Sequence, residues 1–404
     1  MNQKTCITID VSQGKSHIQG FLTQDKPISK AKRMRHSKQG YQQIIDLKQL
    51  IESKSGATPL VIFEFTGIYH KSLEKFLIGH CINYHAVAPL RAAKARNNEI
   101  RSQKTDPRDC SSLAKMFYNN NLGEFCSENK TYSQLRKLNR YYETNMKHIV
   151  KIKVNFRETL GIIYPNYKEL FENVYSNDSI TFLKCFPHPN IYLSKSKDEV
   201  IKLLCEKWDH KENWSLNKIE ELYNFIEETI PGCDVDDADV SILLNYIDQL
   251  EYYFKQSDTI LVHINELAKS SPLYTLVHSL PGVQDNLTSR FIAELGDISR
   301  FKSYKSLIAY VGIDPMIRQS GDNDGLHLKI SKKGNKRLRT ILYLMVDSMR
   351  KSNRKHNAIQ DYYKKKTQQV NQLKPKAASI ACASKLVRII YYMHNTGSIY
   401  EYKS

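Results

Sequence analysis

The sequence predicts a mixed α/β domain at its N-terminal end and a long, mainly α-helical remainder. Short β-type apolar runs at Thr5–Val11, Leu60–Phe65 and Ile82–Ala88 alternate with helical patterns. From Lys130 onward, apolar residues recur at three/four spacing. The 404 residues, 41% hydrophobic and 25% charged, describe a globular chain with room for two or three domains.

In chain order, Thr5–Val11 places Ile7, Ile9 and Val11 on one face and Asp10 on the other, near the strand end. Gly14 marks a turn, and His17–Leu22 can return as a hairpin partner. Gly40–Glu52 has helical spacing. Leu60–Phe65 is dense in β-branched and aromatic residues and reads as a buried central strand with one charge, Glu64. A buried carboxylate is costly unless paired, so burial against an Arg or Lys is one explanation of Glu64. Gly67 breaks the strand, Ile68–Leu77 reads as a helix and Ile82–Ala88 as another strand; Leu90–Arg101 is basic, helical or looped. Asp106–Tyr118 opens with Asp106 as a possible N-cap, Pro107 at the first helical position and Asp109 at the third. Capping alone could explain the two acids. Two further acids at the ends of strand-like runs make a shared site the stronger reading, since strand ends are where α/β sheets gather chemistry. Four carboxylates can hold divalent ions, and two ions can clamp the attacking and leaving oxygens of a phosphodiester.

Lys130–Tyr164 is a charged helical pattern, readable as a surface helix or a coiled-coil arm, and Pro165 ends it. Further helices follow to Leu267, with Trp208 and Trp214 as packing anchors and an acidic loop at Asp234–Asp239. Ser279–Val283 is a Pro-Gly turn before a short helix. It suits either phosphate contact or an ordinary helical hairpin. Ser320-Gly321 lies in a polar segment, followed by Lys329, Lys332, Lys333, Lys336, Arg337 and Arg339, which can neutralise phosphates. Gly325 and Gly334 permit close backbone approach. On local sequence alone, Ser320 reads first as a turn serine bonding its own backbone. Leu338, Ile341, Leu342 and Met345 form the buried stripe of the next helix, and Lys374–Tyr400 is one more.

The formal net charge is +18, which points to a polyanion partner. It is concentrated at the two ends: residues 301–404 hold 21 Lys+Arg against 6 Asp+Glu, and residues 1–125 hold 19 against 10. The intervening stretch is net acidic. No apolar run reaches bilayer-spanning length and no signal-peptide pattern opens the chain, so a cytoplasmic, nucleoid-associated protein is expected. The eight cysteines form no CxxC pair and give no sign of zinc or a redox couple.

Asp10 in IDVS, Glu64 in EFTGIY, and Asp106 with Asp109 in KTDPRD resemble the DEDD tetrad of RuvC-like, RNase H-like nuclease domains. More narrowly, the ordered set resembles insertion-sequence transposases of the IS-one-ten type. The stretch PGVQDNLTSRFIAELGDISRF resembles the helix-hairpin-helix-like start of their C-terminal domain. Ser320-Gly321, with Gly325 and Ile330–Gly334 after it, matches their serine loop. The resemblance is tight at both ends and loose between about Glu169 and Glu266. It implies an RNase H-like (RuvC-like) α/β domain at 1–127, a helical, partly coiled-coil dimerisation region at 128–268 and a mainly helical transposase domain at 269–404. It further implies Mg2+ (or Mn2+) on Asp10, Glu64, Asp106 and Asp109, and Ser320 as nucleophile. Ser331 is the rival, in the part of the motif read as phosphate-binding. DNA, a structured noncoding guide RNA and further copies of the chain, as dimer or tetramer, are the implied partners. Two other readings stay open: a metal-dependent nuclease or invertase without a guide RNA, and a non-catalytic nucleic-acid-binding protein. The carboxylates and Ser320 stand more than 200 residues apart, so they must meet by folding or across a dimer.

Overall fold

The computed structural model describes residues 4–65, 67–89, 91–93, 106–123, 129–316, 329–353, 355–369 and 372–402, with only the backbone of 106–108. By its contacts the chain divides into Met1–Glu128 and Asn129–Ser404.

The first unit is a mixed sheet with helices on both faces. β1 (Cys6–Val11) and β2 (Lys15–Thr23) form the expected hairpin, turning at Gly14, whose φ of +70° suits glycine. β5 (Leu60–Glu64) and β6 (Tyr84–Val87) lie parallel to β1 on its other side. Two short strands, β3 (Lys26–Pro27) and β4 (Lys32–Arg35), share the outer edge of β2. They were not expected from the sequence: Lys-Arg-Met-Arg has one apolar residue, Met34, and its charges suit a sheet edge.

Strand alternation sorts the core into two layers. Ile7, Ile9, Val61 and Phe63 face α1 (Lys38–Ser55) and α2 (Lys71–Gly79). Cys6, Phe21, Ile62 and Val87 face Leu113, Ala114 and Met116 of α3 (Asp106–Tyr118). The helix expected at Ile68 starts only at Lys71, and Ile68 is exposed. Leu90 and residues 94–105 lie outside the described residues, so the basic stretch before α3 is not placed.

The second unit is helical among its described residues. α4 (Lys130–Ile163) spans about 50 Å at 1.5 Å per residue. After α5 (Asn177–Cys185), α6 (Pro189–Leu193), α7 (Lys197–Lys207) and α8 (Glu212–Glu228), α9 (Ala238–Ala268) returns along it. The pair is antiparallel. Ile149–Ile163 of α4 and Val240–Leu250 of α9 enter one core, while Leu135 and Ile260–Ala268 enter another. Trp208 is buried, its indole N–H donating to the Asp178 carbonyl at 3.1 Å, and Trp214 sits edge-on to it.

The second core is completed by α10 (Leu273–His278), α11 (Asp285–Leu295), α12 (Tyr304–Val311), α13 (Lys336–Lys351), α14 (Ala358–Gln368) and α15 (Pro375–Thr396). Leu338, Ile341, Leu342 and Met345 are its α13 stripe, as expected. Among the described residues no helix is long and apolar enough to cross a membrane.

Candidate active site

Asp10 and Glu64 are brought together by strand register. Ile9 pairs with Phe63 in the parallel β1/β5 ladder, so the next residues, Asp10 and Glu64, stand level on neighbouring strands. Such strands run about 4.8 Å apart. Asp10 follows Cys6 by four residues and Glu64 follows Ile62 by two, so both point to the face that α3 covers. Both are half-buried.

Asp109 reaches the same face from α3. That helix packs on β1, and the Cys110 thiol donates to the His17 carbonyl at 3.3 Å. Burial, above all, pushes the Cys110 thiol up to about 12, and the negative charges of Asp10 and Asp109 add to the rise. One buried atom thus senses both carboxylates. Cys110 stays a thiol at neutral pH and is no nucleophile. The helix begins at Asp106 itself, one residue earlier than a capping Asp106 would have it. The Asp106 side chain lies outside the described residues. Among the described side chains, no group of three His, Cys, Asp or Glu is arranged to hold a metal ion.

Two residues on this face went unnoticed in the sequence. Asp10 pairs with His17 on β2, and His17 pairs with Arg33 on β4. A level row therefore runs Arg33, His17, Asp10, Glu64 and Val87 across five strands, β4, β2, β1, β5 and β6. A hairpin turning at Ser12–Lys15 predicts the His17 pairing by counting outward from the turn. The Arg33 position depends on β4, which left no apolar pattern to read.

In the second unit the basic cluster is held by a tight backbone arrangement. Pro315 bridges Ile330, the Met316 N–H donates to the Lys329 carbonyl and the Ser331 N–H to the Asp314 carbonyl. This stem flanks residues 317–328, which lie outside the described residues and include Ser320, Gly321 and Gly325. The Ser331 hydroxyl donates to Asp314 at 2.7 Å and accepts the Lys333 N–H. Gly334 packs against the end of α12: a Cβ there would fall 2.4 Å from the Tyr310 carbonyl and 2.7 Å from the Gly312 nitrogen. The expected close approach is real, and its partner is this chain's own backbone.

Asn335 caps α13 through Oδ1, accepting the Arg337 and Leu338 N–H groups, while its Nδ2 donates to Glu294 Oε2 at 3.0 Å. Glu294 is fully buried, and Asn139 and Arg140 of α4 meet its other oxygen. Arg337 is drawn to Glu143 at 2.6 Å, and Arg339 donates to the Val311 carbonyl at 2.8 Å. The two arginines thus brace the scaffold, whereas Lys329, Lys332, Lys333 and Lys336 are exposed. No acid occupies the first turn of α13. Cations at a helix N-terminus oppose its dipole, so this end concentrates positive potential that an anion would relieve.

At the Pro-Gly turn, Gly282 has φ +80° and its carbonyl accepts from the Ser348 hydroxyl. The start of α11 already carries Asp285, held by Tyr274 and His278. A carboxylate there satisfies the helix end, which favours the structural hairpin over phosphate contact.

Comparison with known proteins finds two transposase-family matches. Residues 7–165 match a DEDD-type family model of IS110 elements described as "Transposase", and residues 274–364 match "Transposase IS116/IS110/IS902 family". The chain thus matches the models of two IS110-type transposase domains. It is similar to the "Insertion element IS116 uncharacterized 44.8 kDa protein" of Streptomyces clavuligerus, with 29% identity over 26% of this chain and 25% of that protein. It is also similar to the "Transposase for insertion sequence element IS1111A" of Coxiella burnetii, with 37% identity over 20% of this chain and 21% of that protein. The matched segments thus span about a quarter or less of these curated relatives. The DEDD match ends just past α4, so it takes in the carboxylate-bearing sheet. The second match takes in the lysine cluster and Ser320.

Proposed function

We propose that this IS110-type protein is the recombinase of an insertion sequence, cutting and rejoining DNA under the direction of a structured noncoding RNA from its own element. The observation that carries the reading is the level placement of Asp10 and Glu64 on the face reached by Asp109, inside the DEDD-matched segment. The donor set fits a hard divalent cation: carboxylate oxygens on adjacent strand ends and a helix start, with no thiolate available. Asp10, Glu64, Asp106 and Asp109 would hold Mg2+ or Mn2+. When bound, such ions stabilise charge on the phosphodiester oxygens.

The chain's own residues do the rest. The sheet fixes Asp10 and Glu64, and α3 carries Asp109 on a packed turn. Exposed Lys329, Lys332, Lys333 and Lys336 bind the nucleic-acid backbone at the α13 N-terminus. Ser320 attacks phosphorus through Oγ, loses its proton to a base and forms a phosphoserine bond while the 3′-oxygen leaves; attack by that or another 3′-hydroxyl restores the serine. Ser331 is assigned to the turn, where its hydroxyl oxygen accepts the Lys333 N–H. A homo-oligomer in the cytoplasm completes the reading.

The lysine assignment has a direct check. Replacing Lys332, Lys333 and Lys336 together by Ala is expected to flatten log affinity against log salt by about two to three units on duplex DNA. An unchanged slope, measured by fluorescence anisotropy across a salt series, would place these lysines away from the backbone.

The whole reading is tested by incubating the protein with the DNA flanking its gene, RNA transcribed from that DNA, and Mg2+. Rejoined strands that require the RNA are expected. Cuts that never rejoin would mark a metal-dependent endonuclease. Rejoining without RNA would mark a site-specific invertase.

A further inference from the structure

A second surface of the C-terminal unit has the composition of a single-strand site. Between α14, α15 and the segment after Gly397 lies an open cleft of about 1000 Å3. Its walls include Tyr362, Lys385, Arg388, Tyr392, Tyr400 and Tyr402, and Glu401 is the one carboxylate among its lining residues. Lys385, Arg388 and Tyr392 follow one another on one face of α15 at spacings of three and four.

The cleft is built rather than incidental. The Tyr400 hydroxyl accepts the Ala358 N–H at 3.0 Å, and its own N–H donates to the Ser279 hydroxyl at 2.8 Å. Tyr402 donates to Asp361, which His356 also meets at 2.7 Å, so the nearby acid is already engaged. The Lys385 ammonium lies over the Tyr362 ring, 4.8 Å from its centre. Tyr392 is 66% exposed, and Tyr402 is 38% exposed with its ring 6.2 Å from that of His356. An exposed tyrosine beside two cations thus faces a wall held by three hydrogen bonds, those of Tyr400 and Tyr402.

We propose that this cleft binds a short run of unpaired nucleotides, with Tyr392 and Tyr402 stacking on bases and Lys385 and Arg388 meeting phosphates. Positive grooves with aromatic platforms hold single strands because every base offers a π-face, whereas paired bases in a duplex do not. DNA and RNA strands share this chemistry. The site is separate from the lysine cluster at the start of α13, so it extends the nucleic-acid reading to a second surface without relying on cleavage.

The test uses the full-length protein and fluorescence anisotropy with labelled oligo(dT) and oligo(rU) of about ten nucleotides, beside a duplex hairpin. Tyr392→Ala is expected to weaken binding of at least one single strand by about tenfold, the lower part of the range for one lost stacked base. Tyr392→Trp should retain it, Arg388→Ala should weaken it, and duplex binding should be unchanged in all three. A larger loss on oligo(rU) assigns the strand to RNA, and on oligo(dT) to DNA. Unchanged single-strand affinity in both alanine variants would overturn the proposal, as would an equal loss on duplex. A changed sedimentation coefficient in Tyr392→Ala would also overturn it and give the cleft to a second copy of the chain. None of these readings depends on strand cleavage, so a protein inert in the recombination assay could still pass, and an active one could fail.

Discussion

Asp10→Asn is expected to abolish strand cleavage while DNA binding survives. The substitution keeps the shape of the side chain and removes its charge. Losing a partner that merely supports a metal ligand costs about 10–100-fold, and a ligand carboxylate should cost more. The strand context makes the variant informative. Asp10 sits between His17 and Glu64 in a continuous ladder, with Ile9 and Val11 buried on the opposite face, so the backbone has no reason to move. Thermal unfolding gives an independent readout. Mg2+ bound only by the native protein raises stability by about 2.7 kcal/mol at one hundred times its dissociation constant. Wild-type protein should show that upward shift in Tm with added Mg2+, and Asp10→Asn should show little of it. Asp109→Asn should behave alike. Cleavage retained in either variant, with the Mg2+ shift intact, would remove the carboxylates from the reaction.

Which parts of this arrangement could be read from the sequence follows from the range of the interactions. β1 and β5 announced themselves by alternation and by a dense β-branched run, and α3 by Asp-Pro at its start. Those signals are local. The level row across the sheet is not, because register depends on how separate strands align; only the hairpin partner His17 follows from the turn, while Glu64 beside Asp10 and Arg33 beside His17 depend on pairing. β4 carried charges where a strand pattern needs apolar residues. In the second unit the lysines after Ile330 were legible as a cluster, but Glu143, which binds Arg337, stands 194 residues earlier. Nothing local could show that two arginines of the cluster brace the scaffold while the lysines are exposed. Ser331 and Asp314 form another such pair, 17 residues apart in the chain.

The proposed role of Ser320 carries the second large effect: Ser320→Ala should abolish a covalent protein–DNA bond that Ser331→Ala leaves in place. A carboxylate–metal site can hydrolyse DNA with activated water and needs no serine. Rejoining without an external energy source is different, because the energy of the broken phosphodiester must be kept in a new bond, and a phosphoserine keeps it. A serine hydroxyl is a weak nucleophile until a base takes its proton. The Ser331 oxygen holds the turn into Lys333, while its proton goes to Asp314, a contact that a general base would also make, so the adduct must decide between the two serines. Ser331→Ala should therefore lower stability by about 0.5–1.5 kcal/mol for the lost hydrogen bond and leave the adduct intact. The measurement is to mix protein, target DNA, guide RNA and Mg2+, denature, and look for DNA that migrates with protein. Wild type should give the adduct, and mass spectrometry of the digest should place it on Ser320. An adduct that persists in Ser320→Ala, or that maps to Ser331, would reverse the roles of the two serines. Absence of any adduct alongside RNA-dependent rejoining would mean that one DNA end attacks the other directly, with Ser320 a turn residue.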